Sequence, residues 1–334
     1  MAKADEIAVA VVGAGGWGRN HVRVFSRLRG ARLHVVCDRD EKVLDGVRRD
    51  YPSTQTTSSF EEVIGSPDVQ AVVLATPAPL HARMAIAALA AGKHVFVEKP
   101  FALTEEEATS IIQAKGPKQT LMVGHLLLFH PVVEKLKQLL ASGELGEVRY
   151  IYTQRLNLGV VRRDESAWWS LAPHDISTIL HLLEEEPVEV QAQGASYITP
   201  GVHDVTFANL RFPSGRIAHI HVSWLDPHKE RKLVIVGTKK MAVFDDMEPT
   251  EKLRLYDKTA ELNRSYQQYA DWITIRSGDI VIPNVRAAEP LILECTHFIE
   301  CIKNGTDPIT GGESGRRVTR ILAQVDAALS RSSK

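Results

Sequence analysis

Six apolar residues, Ile7-Ala-Val-Ala-Val-Val12, run straight into Gly13-Ala-Gly15-Gly16-Trp17-Gly18, and no other stretch narrows the fold of this chain as much. An unbroken apolar run of this kind reads as a parallel strand covered on both faces. Glycines spaced G-x-G-x-x-G where such a strand opens into a helix, here about Trp17–Leu28, each answer a separate steric demand. Gly13 permits a tight turn, Gly15 lets the backbone approach a pyrophosphate, and Gly18 lets the helix pack closely on the sheet. The helix N-terminus then offers amide donors and a favourable dipole to the anion. Asp38 follows twenty residues beyond Gly18, at the end of a second apolar run, Arg32–Cys37. A carboxylate there accepts from the adenosine ribose hydroxyls and repels a 2′-phosphate, which points to NAD. Arg39 beside it can pair with that phosphate, so NADP stays open, as does a plain N-cap role for Asp38.

Further apolar runs at Gln70–Ala75, His94–Val97 and Thr120–Val123 alternate with helical stretches. One is the alanine-rich segment Ala78–Ala91 ended by Gly92; another opens on Thr104-Glu-Glu-Glu107, a capping box. Strand–helix alternation predicts a doubly wound parallel sheet, an α/β domain over residues 1–124. Beyond Gly124 the pattern changes. Helices are expected over Pro131–Ala141 and Trp169–Leu183, with a strand over Val148–Arg155 between them. From Pro187 to Leu255 strands follow one another with turn signals such as Phe-Pro-Ser-Gly at 212–215, as in a mostly antiparallel open sheet. Helices over about Glu289–Lys303 and Gly312–Leu329 close an α+β domain spanning 125–334, with one linear boundary.

At 334 residues and 44% hydrophobic the chain can bury two such cores. Its formal charge of -1 gives no electrostatic drive toward nucleic acid or an anionic membrane. Cys37, Cys295 and Cys301 have no metal-binding spacing, and an odd number of cysteines suits a reduced, cytoplasmic setting. The opening Met1–Glu6 is polar and Ile7–Val12 too short for a signal core, so no secretory leader is expected. Leu121–Val133 falls short of the roughly 20 residues that span a bilayer.

About eighty residues after the glycines stands Glu98-Lys99-Pro100. A lysine at a strand end can hydrogen-bond a reacting oxygen and stabilise its developing negative charge. Pro100 holds Lys99 in extended geometry. Taken together, Gly-Ala-Gly-Gly-Trp-Gly-Arg-Asn-His (13–21), Ala-Thr-Pro-Ala-Pro-Leu-His (75–81) and Ala-Gly-Lys-His-Val-Phe-Val-Glu-Lys-Pro (91–100) resemble the glucose–fructose oxidoreductase, inositol dehydrogenase and rhizopine-catabolism (Gfo/Idh/MocA) family. The likeness covers nearly the whole chain. It implies a Rossmann domain joined to a domain with a mostly antiparallel open sheet, and hydride transfer between a nicotinamide and a secondary hydroxyl of a sugar, cyclitol or nucleotide-sugar.

The resemblance also implies site residues. Lys99 becomes a catalytic residue at the boundary of cofactor and substrate, with a solvated lysine paired to Glu98 as its structural counterpart. His174, in Trp168-Trp-Ser-Leu-Ala-Pro-His-Asp-Ile-Ser177, matches the histidine of the family's Asp-x-x-x-His pattern and is the expected acid/base; a packed histidine behind Pro173 is the alternative. The expected aspartate is Ser170 here, which cannot raise the basicity of an imidazole as a carboxylate does. Gly16, Trp17, Thr76, Pro77, His81 and Glu98 fall at cofactor positions. Arg155, Asn157, Ser170 and Asp175 fall where substrate contacts arise, and an arginine there can bind a carboxylate or phosphate bidentately. Pairing of subunits over the open sheet, as a homodimer or homotetramer, is expected. His219 and His221 share a strand face without a third ligand and read as a polar patch or subunit contact, and no metal is expected. Two other functions fit the same fold: a non-catalytic dinucleotide-binding regulator, favoured by Ser170, and an NAD-dependent glycoside hydrolase.

Overall fold

The computed structural model describes residues 6–159, 161–163, 165–262 and 273–332. Two compact units emerge: residues 1–129 with 288–323, and 130–287 with 324–334.

In the first unit, strands β1 (Ile7–Val12), β2 (Ala31–Cys37), β3 (Gln55–Thr57), β4 (Ala71–Leu74), β5 (His94–Glu98) and β6 (Leu121–Gly124) form a parallel sheet in the order β3-β2-β1-β4-β5-β6. Its helices are α1 (Gly18–Phe25), α2 (Glu41–Asp50), α3 (Phe60–Gly65), α4 (His81–Ala90) and α5 (Glu105–Ala114). The apolar runs are continuous because each strand feeds two cores. Ala10, Val12, Val72, Leu74, Val95 and Val97 face one cluster, where they meet Met84, Ala88 and Ile111 from α4 and α5. Val9, Val11, Val73 and Phe96 face the other, with Val22 and Phe25 from α1 and Leu44 from α2. Each fully buried valine of this kind contributes roughly 1.5–3 kcal/mol against its exposed state. The expected cap forms on one side: Thr104 Oγ1 accepts from the Glu107 amide at 3.1 Å, while the Glu107 carboxylate accepts at 3.0 Å from the amide of Leu103, one residue before the N-cap.

The single linear boundary at 124/125 does not describe these units. Helix α8 (Pro290–Asn304) belongs to the first, where Leu291, Cys295, Phe298 and Ile299 complete the core beside Phe96 and Met122. Leu291, Cys295 and Phe298 recur at helical spacing, a pattern that marks an apolar stripe but not the sheet it covers.

The second unit carries α6 (Pro131–Ala141), α7 (Ala167–Leu183) and a mixed sheet of β7 (Val148–Leu156), β8 (Glu189–Ala195), β9 (Val205–Arg211), β10 (Ile217–Ser223), β11 (Glu230–Gly237), β12 (Met241–Asp245), β13 (Leu253–Leu262) and β14 (Ile273–Val281). Its order is β14-β13-β12-β11-β7-β10-β9-β8, antiparallel except between β7 and β10. Alternation gives it one dry and one wet face. Ile151, Ala208, Ile220 and Val222 are buried; Tyr150, Phe207 and Ile217 on the other side are exposed. His219 and His221 lie on that outer face, where Phe207 stacks on the His221 ring at 4.3 Å and Asn209 Oδ1 lies 2.9 Å from His219 Nδ1. Residues 312–332 form the last helix, α9 (Gly312–Ser332). No helix among the described residues is long and apolar enough to cross a membrane.

Candidate active site

In a parallel sheet, ligands gather where the strand order reverses, at the carboxyl ends of the strands. Here the reversal lies between β1 and β4. Val12 pairs with Leu74 and Leu74 with Val97, so the glycine loop, Thr76 and Lys99 leave neighbouring strands along one edge.

The glycines divide by what surrounds them. Gly13 adopts φ 85°, and a Cβ there would lie 2.7 Å from the Ala75 carbonyl oxygen. A Cβ at Gly18 would sit 1.8 Å from the Gly13 oxygen, so no side chain fits between helix and turn. At Gly15 and Gly16 it would meet nothing within 4 Å. Those two present bare backbone to a cavity of about 810 Å³, which Gly13, Asp38, Arg39, Thr76 and Pro77 also line. The cradle suits a dinucleotide: bare amides for phosphate, a carboxylate beyond them, and an apolar wall of Phe60, Ile64, Leu80 and Met84 for a base. That wall was not legible as such, although the apolar face of Ala78–Ala91 was its signal.

Asp38 Oδ2 accepts from the Ala14 amide at 2.7 Å and Oδ1 from the Asp40 amide at 3.0 Å. It therefore ties the glycine loop to the end of β2, and the N-cap of α2 is Asp40. Cys37, also on the cavity wall, has its thiol pushed up to about 11 by burial and then by the charge of Asp38, so it stays protonated.

Glu98 turns inward. Its Oε1 accepts from Trp17 Nε1 at 2.7 Å and lies 2.6 Å from His21 Nε2; its Oε2 accepts from the Lys99 amide at 3.1 Å. Burial alone would raise its pKa. The hydrogen bond and charge of His21, then the Trp17 bond, override that and hold the carboxyl below its usual range. A Cβ at Gly124 would lie 2.9 Å from Glu98 Oε2, so the absence of a side chain there makes room for the carboxylate. With Oε1 engaged by two partners, Glu98 ties the Trp17 side chain of the glycine loop to the Lys99 backbone. His81 has a similar character. It is buried, with Nδ1 2.8 Å from the Pro100 oxygen and Nε2 2.8 Å from the Thr76 oxygen. Both ring nitrogens face backbone, so His81 braces the loops that carry Thr76 and Lys99. The Lys99–Pro100 peptide is cis, and Lys99 is half-buried.

Two buried groups near Glu98 had no sequence signal. His125 is 1% exposed, neither ring nitrogen has a hydrogen-bond partner among the described residues, and burial lowers its pKa to about 4. Glu294 on α8 is fully buried, and burial followed by the charge of Glu98 raises its pKa well above the carboxylate range.

In the second unit, Ser166 caps α7 by accepting from the Trp169 amide at 3.4 Å. His174 is half-buried on that helix, and its carbonyl accepts from Ser177 and Thr178 at 3.0 and 2.8 Å. Ser170 is half-buried one turn earlier. Asn157 is half-buried after β7, its amide donating to the Ser223 carbonyl at 3.0 Å. Asp175 is 2% exposed, and Arg155 binds it bidentately at 2.8 and 3.0 Å. These two, each expected as a substrate contact, also pair with one another. Desolvation would lower the Arg155 pKa, but Asp175 outweighs it and the guanidinium is held above its ordinary value.

Two family models cover most of the chain. Residues 7–125 match the model described as an oxidoreductase family with NAD-binding Rossmann fold, and residues 133–243 match the GFO/IDH/MocA C-terminal domain. The chain belongs to the Gfo/Idh/MocA oxidoreductases. Among the relatives of this oxidoreductase, an inositol 2-dehydrogenase of Rhodococcus erythropolis is 32% identical over 225 residues, which is 65% of each chain. The 2,7-anhydro-N-acetylneuraminate hydratase of Escherichia coli is 29% identical over 269 residues, 76% of this chain and 71% of the relative. A UDP-N-acetylglucosamine 3-dehydrogenase from Acidithiobacillus ferrooxidans superposes with a TM-score of 0.81 at 25% identity, covering 98% of both chains.

Proposed function

We propose that this oxidoreductase transfers hydride between NAD and a secondary hydroxyl of a sugar, cyclitol or nucleotide-sugar. The observation that carries the proposal is the shared edge of β1, β4 and β5: Lys99 leaves its strand beside the strands that deliver the glycine loop and Thr76. Bound nicotinamide supplies the two-electron acceptor. Glycine-loop amides bind the pyrophosphate, and Asp38, already fixed by the Ala14 and Asp40 amides, selects ribose hydroxyls over a 2′-phosphate. The ammonium of Lys99 donates to the reacting oxygen and stabilises its charge. His174 takes the hydroxyl proton as the general base. Ser170 stands where the family pattern carries an aspartate, while Asn157 contributes a polar contact to substrate.

Redox-neutral chemistry on the same residues, as in a glycoside hydrolase that oxidises transiently, is the second reading; similarity to a hydratase favours it. A panel of sugars and cyclitols with NAD, followed at the NADH absorbance band, separates the two. Hydride transfer predicts accumulating NADH. Lys99→Ala should reduce kcat at least a thousandfold with NADH affinity within a few-fold; retained turnover would remove Lys99 from the mechanism. The exposed apolar residues Tyr150, Phe207 and Ile217 on the outer sheet face support a homodimer or homotetramer, for which a monomeric mass by light scattering would be decisive against. Three buried free thiols support a cytoplasmic setting.

A further inference from the structure

Arg155 and Arg231 stand directly opposite one another on adjacent strands β7 and β11. Like charges in that arrangement repel, and a fold retains them where something of opposite charge answers both. The carboxylates nearby are already engaged. Both oxygens of Asp175 are taken by Arg155. Asp246, whose charge acts on both arginines, pairs with Lys252 at 2.9 Å and has His130 at 3.6 Å. Three permanent cations therefore face two carboxylates. Among the described residues Arg231 has neither an ion pair nor a side-chain hydrogen bond, and it is exposed. Its guanidinium is held below the usual arginine range, by desolvation first and by Arg155 next.

We infer that Arg231 is the docking point for an oxyanion carried by the substrate, a carboxylate or a phosphate, so that the enzyme handles an acidic sugar in preference to a neutral one. The inference rests on the reading of the chain as a sugar oxidoreductase and names the substrate class within it. A planar guanidinium presents parallel N–H donors that match two oxygens of either anion, which the point charge of lysine does not. Arg155 has Nε and Nη2 committed to Asp175; it holds the middle of α7 there, next to His174, and adds positive potential beside Arg231.

The test is a set of binding titrations of the full-length protein saturated with NADH, which require no turnover. Probes are D-glucuronate for the carboxylate, UDP-glucose for the phosphate and myo-inositol as a neutral polyol. Saturable binding of at least one acidic probe is expected, weakened at least tenfold in Arg231→Ala and partly restored in Arg231→Lys, with myo-inositol unaffected by either change. An unshifted melting temperature in Arg231→Ala confirms that the exposed residue is not needed for folding. Equal affinity of wild type and Arg231→Ala for the acidic probes overturns the inference, and so does failure of both acidic probes to bind. If NADH nevertheless forms from a neutral sugar, the oxidoreductase reading stands while the anion site falls; if an acidic probe binds through Arg231 but no sugar is oxidised, the reverse holds.

Discussion

Replacing Glu98 with alanine removes the acceptor that His21, Trp17 and the Lys99 amide share. The cost follows from where each donor is left. Trp17 is 45% exposed and its indole can turn to water, whereas His21 is fully buried and cannot. Leaving a buried hydrogen-bonding group without its partner costs about 1–3 kcal/mol, and more where the lost partner is charged, so Glu98→Ala should cost about 3 kcal/mol. That corresponds to roughly 6–12 °C in the melting transition of the first unit. Glu98→Gln keeps the shape and one acceptor but loses the charge, so about 2 kcal/mol is expected. The pH dependence carries a sign. The folded pKa of Glu98 lies below its unfolded value, so its contribution is complete above about pH 4.3 and is lost as pH falls through the depressed folded value. The stability gap between wild type and Glu98→Gln should therefore be constant near neutrality and close in acid. Trp17 belongs to the glycine loop, so NADH affinity, read by quenching of tryptophan fluorescence, should weaken by about tenfold in Glu98→Ala. Differential scanning calorimetry and urea titration between pH 3 and 8 measure the rest. A loss below about 1 kcal/mol for Glu98→Ala, or a gap that persists unchanged at pH 3, would refute the role given to this carboxylate.

Acid sensitivity should also come from His125. Its folded pKa of about 4 lies below the ordinary histidine value, so the unfolded chain binds the extra proton first and stability falls as pH drops from about 6.5 to 4. The loss is about 3 kcal/mol, and His125→Leu should flatten that part of the profile in the same titrations. Gly18→Ala would place a methyl group 1.8 Å from the Gly13 oxygen. It should cost roughly 3 kcal/mol and abolish NADH binding by calorimetric titration, whereas Gly16→Ala, with open space around it, should leave stability within about 0.5 kcal/mol.

Local rules carried far along this chain. Ile7–Val12 specified a strand buried on both sides because its apolar run has no polar face, and alternate residues do feed two cores. The steric demand at Gly18 is equally local, since the Gly13 backbone that crowds it belongs to the same motif, whereas Gly13 is crowded by the Ala75 backbone that follows β4. Thr104 capped its helix as written, while Glu107 reached one residue further back, to the Leu103 amide. Short elements were harder: α2, β3 and α3 carry charged, exposed positions that blur their periodicity.

Chemistry at the edge of the first sheet was named by its residues, but their partners were not. Glu98 reads as a neighbour of Lys99, yet it binds His21 and Trp17 from 77 and 81 residues away. Arg155 and Asp175 read as separate positions, and packing brought them within 3.0 Å of one another. The apolar stripe of Pro290–Asn304 was legible, but its return to the first unit was not. Backbone conformation, strand polarity and the need for glycine are decided by sterics and solvation over a few residues, and the sequence alone determined them. Which carboxylate meets which cation depends on desolvation and distance between segments remote in the chain, and only the folded structure decided that.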